Sequence, residues 1–117
     1  MENTRIIRGD LELDCDSFFD ANLIVEGNIT GYFNITAHNI TAENIKVKNI
    51  NAEDINANNI IANDIKANDI NAFNIIANNI VYFAVCFAYN NIECKTIGGL
   101  RETCDHFVLD GQIIIKK

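Results

Sequence analysis

The chain has 117 residues, and its 16 acidic and 9 basic residues give a formal net charge of −7 at pH 7. This length fits one domain, residues 1–117, and a hydrophobic fraction of 49% excludes an intrinsically disordered chain. An acidic chain without a basic stripe argues against direct binding to nucleic acid or to an anionic membrane.

The N-terminal 34 residues carry most of the charge, with seven acids against two arginines. Part of this segment alternates acidic with apolar residues, which is typical of a half-buried strand with its carboxylates outward. We expect acidic strands and a first coil in residues 1–34. The alternative to a functional patch is a solvated strand, since the run lacks the Gly and terminal Glu of a calcium loop. The candidate patch for a basic partner consists of Asp10, Glu12, Asp14, Asp16, Asp20 and Glu26.

The first ten residues contain no apolar segment of the kind found in secretory signals. The longest apolar run, residues 81–89, is nine residues, which is too short to cross a bilayer. We therefore expect a cytoplasmic protein that has no membrane contact and keeps its cysteines reduced.

Residues 35–80 repeat the pattern Ile-x-Ala-x-Asn/Asp every five residues, in nine consecutive units. Residues i and i+2 of a strand point to the same side, so Ile and Ala share the interior. Asn and Asp suit the corners, because they hydrogen-bond their own backbone in turns. A helix would spread a five-residue repeat around its circumference. The pattern predicts an all-β solenoid, with longer six-residue faces at Leu23, Ile29 and Ile35.

Beyond Ile80 the repeat breaks into an aromatic run and resumes briefly at Ile92. We expect residues 81–117 to form an aromatic C-terminal cap, since terminal repeats differ from internal ones. Asp110-Gly111 lies between two apolar runs and predicts a terminal β-hairpin. The candidate self-association residues, for a homodimer, are Tyr82, Phe83, Phe87 and Tyr89.

The repeat resembles the pentapeptide-repeat family, because Asn or Asp directly precedes each large aliphatic residue from Asn39-Ile40 to Asn79-Ile80. The resemblance implies a right-handed quadrilateral coil, in which Asn39, Asn59 and Asn79 stack in one column. The family places its small residue two before the aliphatic residue, whereas here Ala stands two after it. That departure leaves a triangular coil, as in bactofilin-type solenoids, as the alternative.

The segments YFAVCFAYNNIECKTIGG and HFVLDGQI resemble small repeat proteins of Gram-positive bacteria and their phages. This resemblance implies a bacterial host cell as the setting and implies no activity.

Few residues could support catalysis or bind a metal. Only two histidines exist, and His38 occupies an outward, interchangeable position of the repeat. Cys86, Cys94, Cys104 and His106 could bind zinc, but no C-x₂₋₄-C pair exists, and small buried thiols are the favoured interpretation. We expect no catalytic residue, no metal and no cofactor.

Three functions are compatible with these features. The favoured one is a non-enzymatic inhibitor that binds a host DNA-binding enzyme or nuclease, as a phage-type anti-defence or anti-CRISPR-like protein and DNA mimic. The alternative is a self-associating scaffold. An acyltransferase on a hexapeptide-repeat solenoid is the least favoured, because no His-bearing insertion interrupts residues 35–80.

Overall fold

A computed structural model describes residues 4–99 and 105–115 of the chain. Within these ranges the backbone forms fourteen β-strands and no helix, and every strand pairing is parallel. The strands in chain order are β1 (Thr4–Ile7), β2 (Leu11–Glu12), β3 (Ser17–Phe18), β4 (Asn22–Val25), β5 (Asn28–Thr36), β6 (Asn39–Thr41), β7 (Asn44–Asn51), β8 (Asp54–Asn56), β9 (Asn59–Ile61), β10 (Asp64–Ile76), β11 (Asn79–Cys94), β12 (Thr96–Gly99), β13 (Asp105–Val108) and β14 (Ile113–Ile115).

The strands stack into three flat faces, each defined by a column of paired residues. Face A stacks Leu11, Ile29, Ile45, Ile60, Ile75, Ile92 and Ile113. Face B stacks Ser17, Ile35, Ile50, Ile65, Ile80 and Ile97. Face C stacks Arg5, Leu23, Ile40, Ile55, Ile70, Cys86 and His106. The chain is therefore a β-solenoid of about six turns, and this part of the sequence prediction is confirmed.

The coil is triangular. Ile45 pairs with Ile60, and Ile60 pairs with Ile75, so one regular turn takes fifteen residues and three five-residue faces. The favoured quadrilateral coil, which pairs residues twenty apart, is wrong, and the triangular alternative is the observed one. The feature that accompanies the triangle is the shifted small residue, since Ala stands two after each Ile instead of two before it. Ala is buried next to the corner, and its small side chain leaves room there for the sharper bend that a three-sided turn requires.

The inward positions of the repeat are buried as the strand alternation predicts. The Ile residues of the three faces between Ile35 and Ile80 are at most 2% exposed, and the Ala residues two positions later are at most 9% exposed. Each fully buried Ile contributes about 1.5–3 kcal/mol of transfer free energy before the entropy of ordering is subtracted. The apolar interior is therefore continuous along the axis from one turn to the next.

The turns at the N-terminus are longer than those in the centre. Leu11 pairs with Ile29 eighteen residues later, and Ile29 pairs with Ile45 sixteen residues later. The predicted six-residue faces are thus confirmed. The extra residue on β5 lies in a bulge that begins at Gly31, where φ is +125° and an added Cβ would lie 2.5 Å from the carbonyl oxygen of Leu13. Only Gly fits there, and the bulge makes Tyr32 project into solvent.

Ladders of Asn side chains run along the corners, as the repeat predicts, but with partners fifteen residues apart. On the ladder that leads into face A, Asn59 Nδ2 donates to Asn44 Oδ1 at 2.7 Å, and Asn74 Nδ2 donates to Asn59 Oδ1 at 2.9 Å. The column of Asn39, Asn59 and Asn79 expected from a quadrilateral coil does not form, because these residues lie on three different corners. Each side chain donates toward the N-terminal neighbour, so the ladder has one direction.

The C-terminal segment continues the coil and forms no hairpin. Strands β13 and β14 both pair in parallel with β11, so Asp110-Gly111 is a corner between face C and face A. An Asp-Gly pair also suits such a corner, where Gly111 approaches the backbone of Asn90 too closely for any Cβ. The aromatic run does not close the end of the core, because β12, β13 and β14 stack a further turn over β11.

Candidate binding surfaces

The six acids of the predicted patch lie around the first coils instead of on one side. Asp10 Oδ1 accepts the backbone N–H of Asn28 at 2.8 Å, and Asp16 Oδ1 accepts that of Asn34 at 3.0 Å. These two carboxylates therefore occupy the Asn positions of the face A and face B corners, where they hold the first turn to the second. Their role in the fold is structural. The signal in the sequence was their position, because each stands directly before the inward residue of a face, where the repeat has Asn or Asp.

The other four acids are exposed and differ in their contacts. Asp20 Oδ1 lies 2.8 Å from His38 Nε2 at the corner between faces B and C. Within residues 4–99 and 105–115, the side chains of Glu12, Asp14 and Glu26 form no hydrogen bond or ion pair. These three carboxylates are available to a partner without any change in the fold.

The predicted aromatic surface does not exist as one patch. Tyr82 is 1% exposed and lies in the interior, where its hydroxyl is 2.6 Å from His106 Nδ1. Phe83 follows at the corner between faces B and C, whereas Phe87 lies on face C and Tyr89 at the corner between faces C and A. Only the last two are brought together: with Phe73 they line one shallow groove. Strand alternation alone could not reveal that Phe87 and Tyr89 lie beside Phe73, because β11 shifts register twice against β10 between Tyr82 and Asn91.

The cysteines and His106 form no metal site in the described residues. Cys86 and Cys94 are fully buried, and His106 is hydrogen-bonded to the Tyr82 hydroxyl. Cys104 lies outside the described residues. Burial, followed by the nearby Cys94 sulfur, raises the pKa of the Cys86 thiol to about 12. Burial also raises the pKa of Cys94. Small buried thiols are the interpretation that these contacts favour.

Thiol reactivity separates the cysteines. In a C104S background, Ellman's reagent should titrate one fast thiol, the exposed Cys15, and should reach the other two only after unfolding. The reason is that the thiolate is the nucleophile, and both burial and a raised pKa suppress it. C15S in the same background is the control and should abolish the fast phase. Three equally fast thiols would contradict the buried placement.

Two carboxylates stack directly on one another at the corner that leads into face C. Asn39 pairs with Asp54, and Asp54 pairs with Asp69. Burial first, then the charge of Asp69, a hydrogen bond with Asp69 and the charge of Glu53 raise the pKa of Asp54 above its ordinary value of 3.8. The Oδ1 atom of Asn39 is buried and has no hydrogen-bond partner in the described structure. The ladder of Asn side chains is therefore interrupted at Asp54, because its carboxylate has no N–H group to donate to Asn39 Oδ1.

Face A carries a groove that alternation did not predict. The position after each inward Ile is usually polar, but Ile61 and Ile76 occupy it on adjacent turns and are 40% and 41% exposed. They line a shallow cavity of about 510 Å³, together with Lys46, Glu93 and Ile114. The signal was present in the sequence as two Ile-Ile doublets fifteen residues apart. The two outward Ile residues become neighbours on the surface only because one turn takes fifteen residues.

Aromatic side chains border this groove on both sides. Tyr32 projects from the corner between faces A and B, where its hydroxyl accepts a hydrogen bond from Asn63 Nδ2 at 2.7 Å and Lys48 Nζ lies 5.7 Å from its ring. Phe73 and Tyr89 lie on the corner between faces C and A, with ring centroids 5.5 Å apart in a T-shaped arrangement. The aromatic side chains therefore stand on the two corners that bound face A.

Comparison of the chain with protein-family models, with curated proteins and with solved structures found no match. Across the described ranges, no helix has the length and hydropathy that crossing a membrane would require. The fold and the surfaces above therefore carry the functional argument by themselves.

Proposed function

We propose that this chain is a non-enzymatic binding protein whose acidic first coils bind a basic surface on a nucleic-acid-handling protein and block it. The observation that carries the proposal is a set of exposed carboxylates, those of Glu12, Asp14 and Glu26, which have no partner among the described residues. They lie on coils whose fold is already held by Asp10 and Asp16. Negative charge concentrated on the first coils of the solenoid steers a basic partner to that end of the molecule.

The charge distribution favours a protein partner over nucleic acid. Residues 1–34 carry −5 of the net −7, and a surface of this sign repels phosphate. A protein that handles DNA or RNA exposes the complementary basic surface. The proposed setting is the bacterial cytoplasm during phage infection, with the chain as an anti-defence or anti-CRISPR-like DNA mimic. We also propose that the chain is related to pentapeptide-repeat proteins.

The test is the capture and inhibition of such a partner. The immobilised chain is incubated with the heparin-binding fraction of a Gram-positive lysate, and the proteins eluted by salt are identified. Each purified candidate is then assayed for nuclease activity or DNA binding. We expect inhibition, and we expect E12Q/D14N/E26Q to weaken binding about tenfold or more and to reduce its salt dependence.

The control variant removes the same number of negative charges from another part of the chain. E43Q/E53Q/D110N also removes three exposed carboxylates, but from other turns, and it should leave partner binding within about twofold of wild type. Equal binding by the first triple variant would refute the proposal. So would a captured partner whose activity is unaffected.

A second candidate, a self-associating scaffold without an inhibitory role, is favoured by the apolar groove on face A. The two functions are separable by mutation, because Glu12, Asp14 and Glu26 do not line the groove. A chain that assembles but inhibits no captured protein would favour the scaffold.

A further inference from the structure

We propose that face A is the interface of an antiparallel homodimer, in which the exposed Ile pairs of two copies pack together and Lys46 of each copy faces Glu93 of the other. The proposal does not depend on the proposed function. It rests on the order of side chains along one column of the groove. From the N-terminal to the C-terminal end, the outward residues of face A are Glu12, Thr30, Lys46, Ile61, Ile76, Glu93 and Ile114.

This column is self-complementary. A twofold axis that lies between two facing copies, parallel to the strands and midway between Ile61 and Ile76, reverses the order of the turns. Ile61 then faces Ile76 of the other copy. Lys46 lies one and a half turns from the axis on one side, and Glu93 lies one and a half turns away on the other. The cation of each copy therefore meets the carboxylate of its partner, as an isologous interface requires.

A copy placed in parallel orientation lacks this match. With the same turns facing each other, Lys46 would face Lys46 and Glu93 would face Glu93, and both contacts would be repulsive. The apolar pairs would gain nothing in compensation, because Ile faces Ile in either orientation. Charge thus selects the antiparallel arrangement.

The size of the face is adequate for a stable dimer. The molecule measures 33 × 27 × 23 Å, so one face offers at most roughly 750 Å². A standard interface buries about 800 Å² on each partner. Two facing sheets pack about 10 Å apart, a distance at which the Ile side chains interdigitate and a Lys reaches a Glu. Phe73 and Tyr89 extend the apolar surface along one border of the face.

Sedimentation equilibrium of charge-reversal variants tests the proposal. Wild type should be a dimer whose dissociation constant rises about tenfold or more in K46E and in E93K, since each variant converts two attractive contacts into repulsive ones. The double variant K46E/E93K should restore dimerisation to within about threefold of wild type. Within one chain the two side chains are three turns, about 14 Å, apart, so restoration cannot come from an intramolecular pair.

The controls separate this result from misfolding and from net charge. K66E reverses an exposed lysine on face B and should dimerise like wild type. Each variant should retain the circular dichroism spectrum and thermal midpoint of wild type measured at a concentration where the chain is monomeric. A wild-type chain that stays monomeric up to millimolar concentration would overturn the proposal. A double variant that fails to recover, or K66E weakened as much as K46E, would overturn it too.

Discussion

Replacing Ile60 by Ala should lower the free energy of unfolding by about 2–5 kcal/mol, because it leaves a cavity in a close-packed core. Ile60 is 1% exposed at the centre of face A, with Ile45 and Ile75 stacked directly on either side. The loss is a large fraction of the stability of a small domain, about 5–15 kcal/mol. Urea unfolding followed by circular dichroism measures it.

The adjacent residue provides the control. Ile61 is the same residue type and lies on the same strand, but it points outward and is 40% exposed. I61A should change the unfolding free energy of the monomer by only about 0.5 kcal/mol. Both variants are measured at low protein concentration, so that loss of the proposed dimer contact is not counted as loss of fold. Equal costs at positions 60 and 61 would contradict the inward–outward alternation.

The second prediction concerns the stacked carboxylates, where D54N should stabilise the protein by about 1 kcal/mol at pH 7. The amide group that this substitution introduces can donate to Asn39 Oδ1, which is buried without a partner in the described structure. The substitution also removes the repulsion between residue 54 and Asp69. The ladder of amide side chains then continues without a break from Asn22 through Asn39 to position 54.

The sign of the pH dependence follows from the raised pKa of Asp54. Its folded-state pKa lies above the ordinary value of 3.8, so the folded protein binds the proton more tightly than the unfolded chain does. The contribution to stability is therefore fully present below about pH 3.8 and is lost as the pH rises through the folded pKa. The stability difference between D54N and wild type should grow over the same pH window.

A matched substitution on another corner isolates this effect. Asp64 stands at the equivalent position of the face B ladder, between Asn49 and Asn79, and accepts a hydrogen bond from Asn79 Nδ2 at 2.7 Å. D64N relieves no stacked carboxylate and should change the stability at pH 7 much less than D54N does. A D54N protein that is less stable than wild type at pH 7, or a D64N protein that gains as much, would refute the assignment.

The local rules of the fold were readable from the sequence. The spacing of Ile35 to Ile80 predicted a solenoid of stacked strands, an interior of Ile and Ala, and Asn at the corners, and all of these are confirmed. The longer N-terminal faces were also predicted correctly. These features follow from alternation within single strands, which depends on a few neighbouring residues and needs no knowledge of the whole chain.

The candidate surfaces were predicted less well, for an identifiable reason. Ile61 and Ile76 look like isolated exceptions to alternation until a fifteen-residue turn stacks them. Tyr82, a candidate surface residue, stands two after Ile80 and pairs with Ala67, so strand alternation itself places it in the core. Asp10 and Asp16 were assigned to a patch, although their spacing also matches the corner positions where they accept backbone hydrogen bonds.

The repeat by itself established that this chain is a stacked β-solenoid and which side of each strand faces inward, since both follow from a period of two along each strand. It left open how many faces close a turn, because one five-residue face has the same local geometry in a triangle and in a square. Only the pairing of residues fifteen apart in the tertiary structure shows that three faces close a turn. That closure in turn determines which outward residues become neighbours, and so it creates both the face A groove and the Asp54–Asp69 stack.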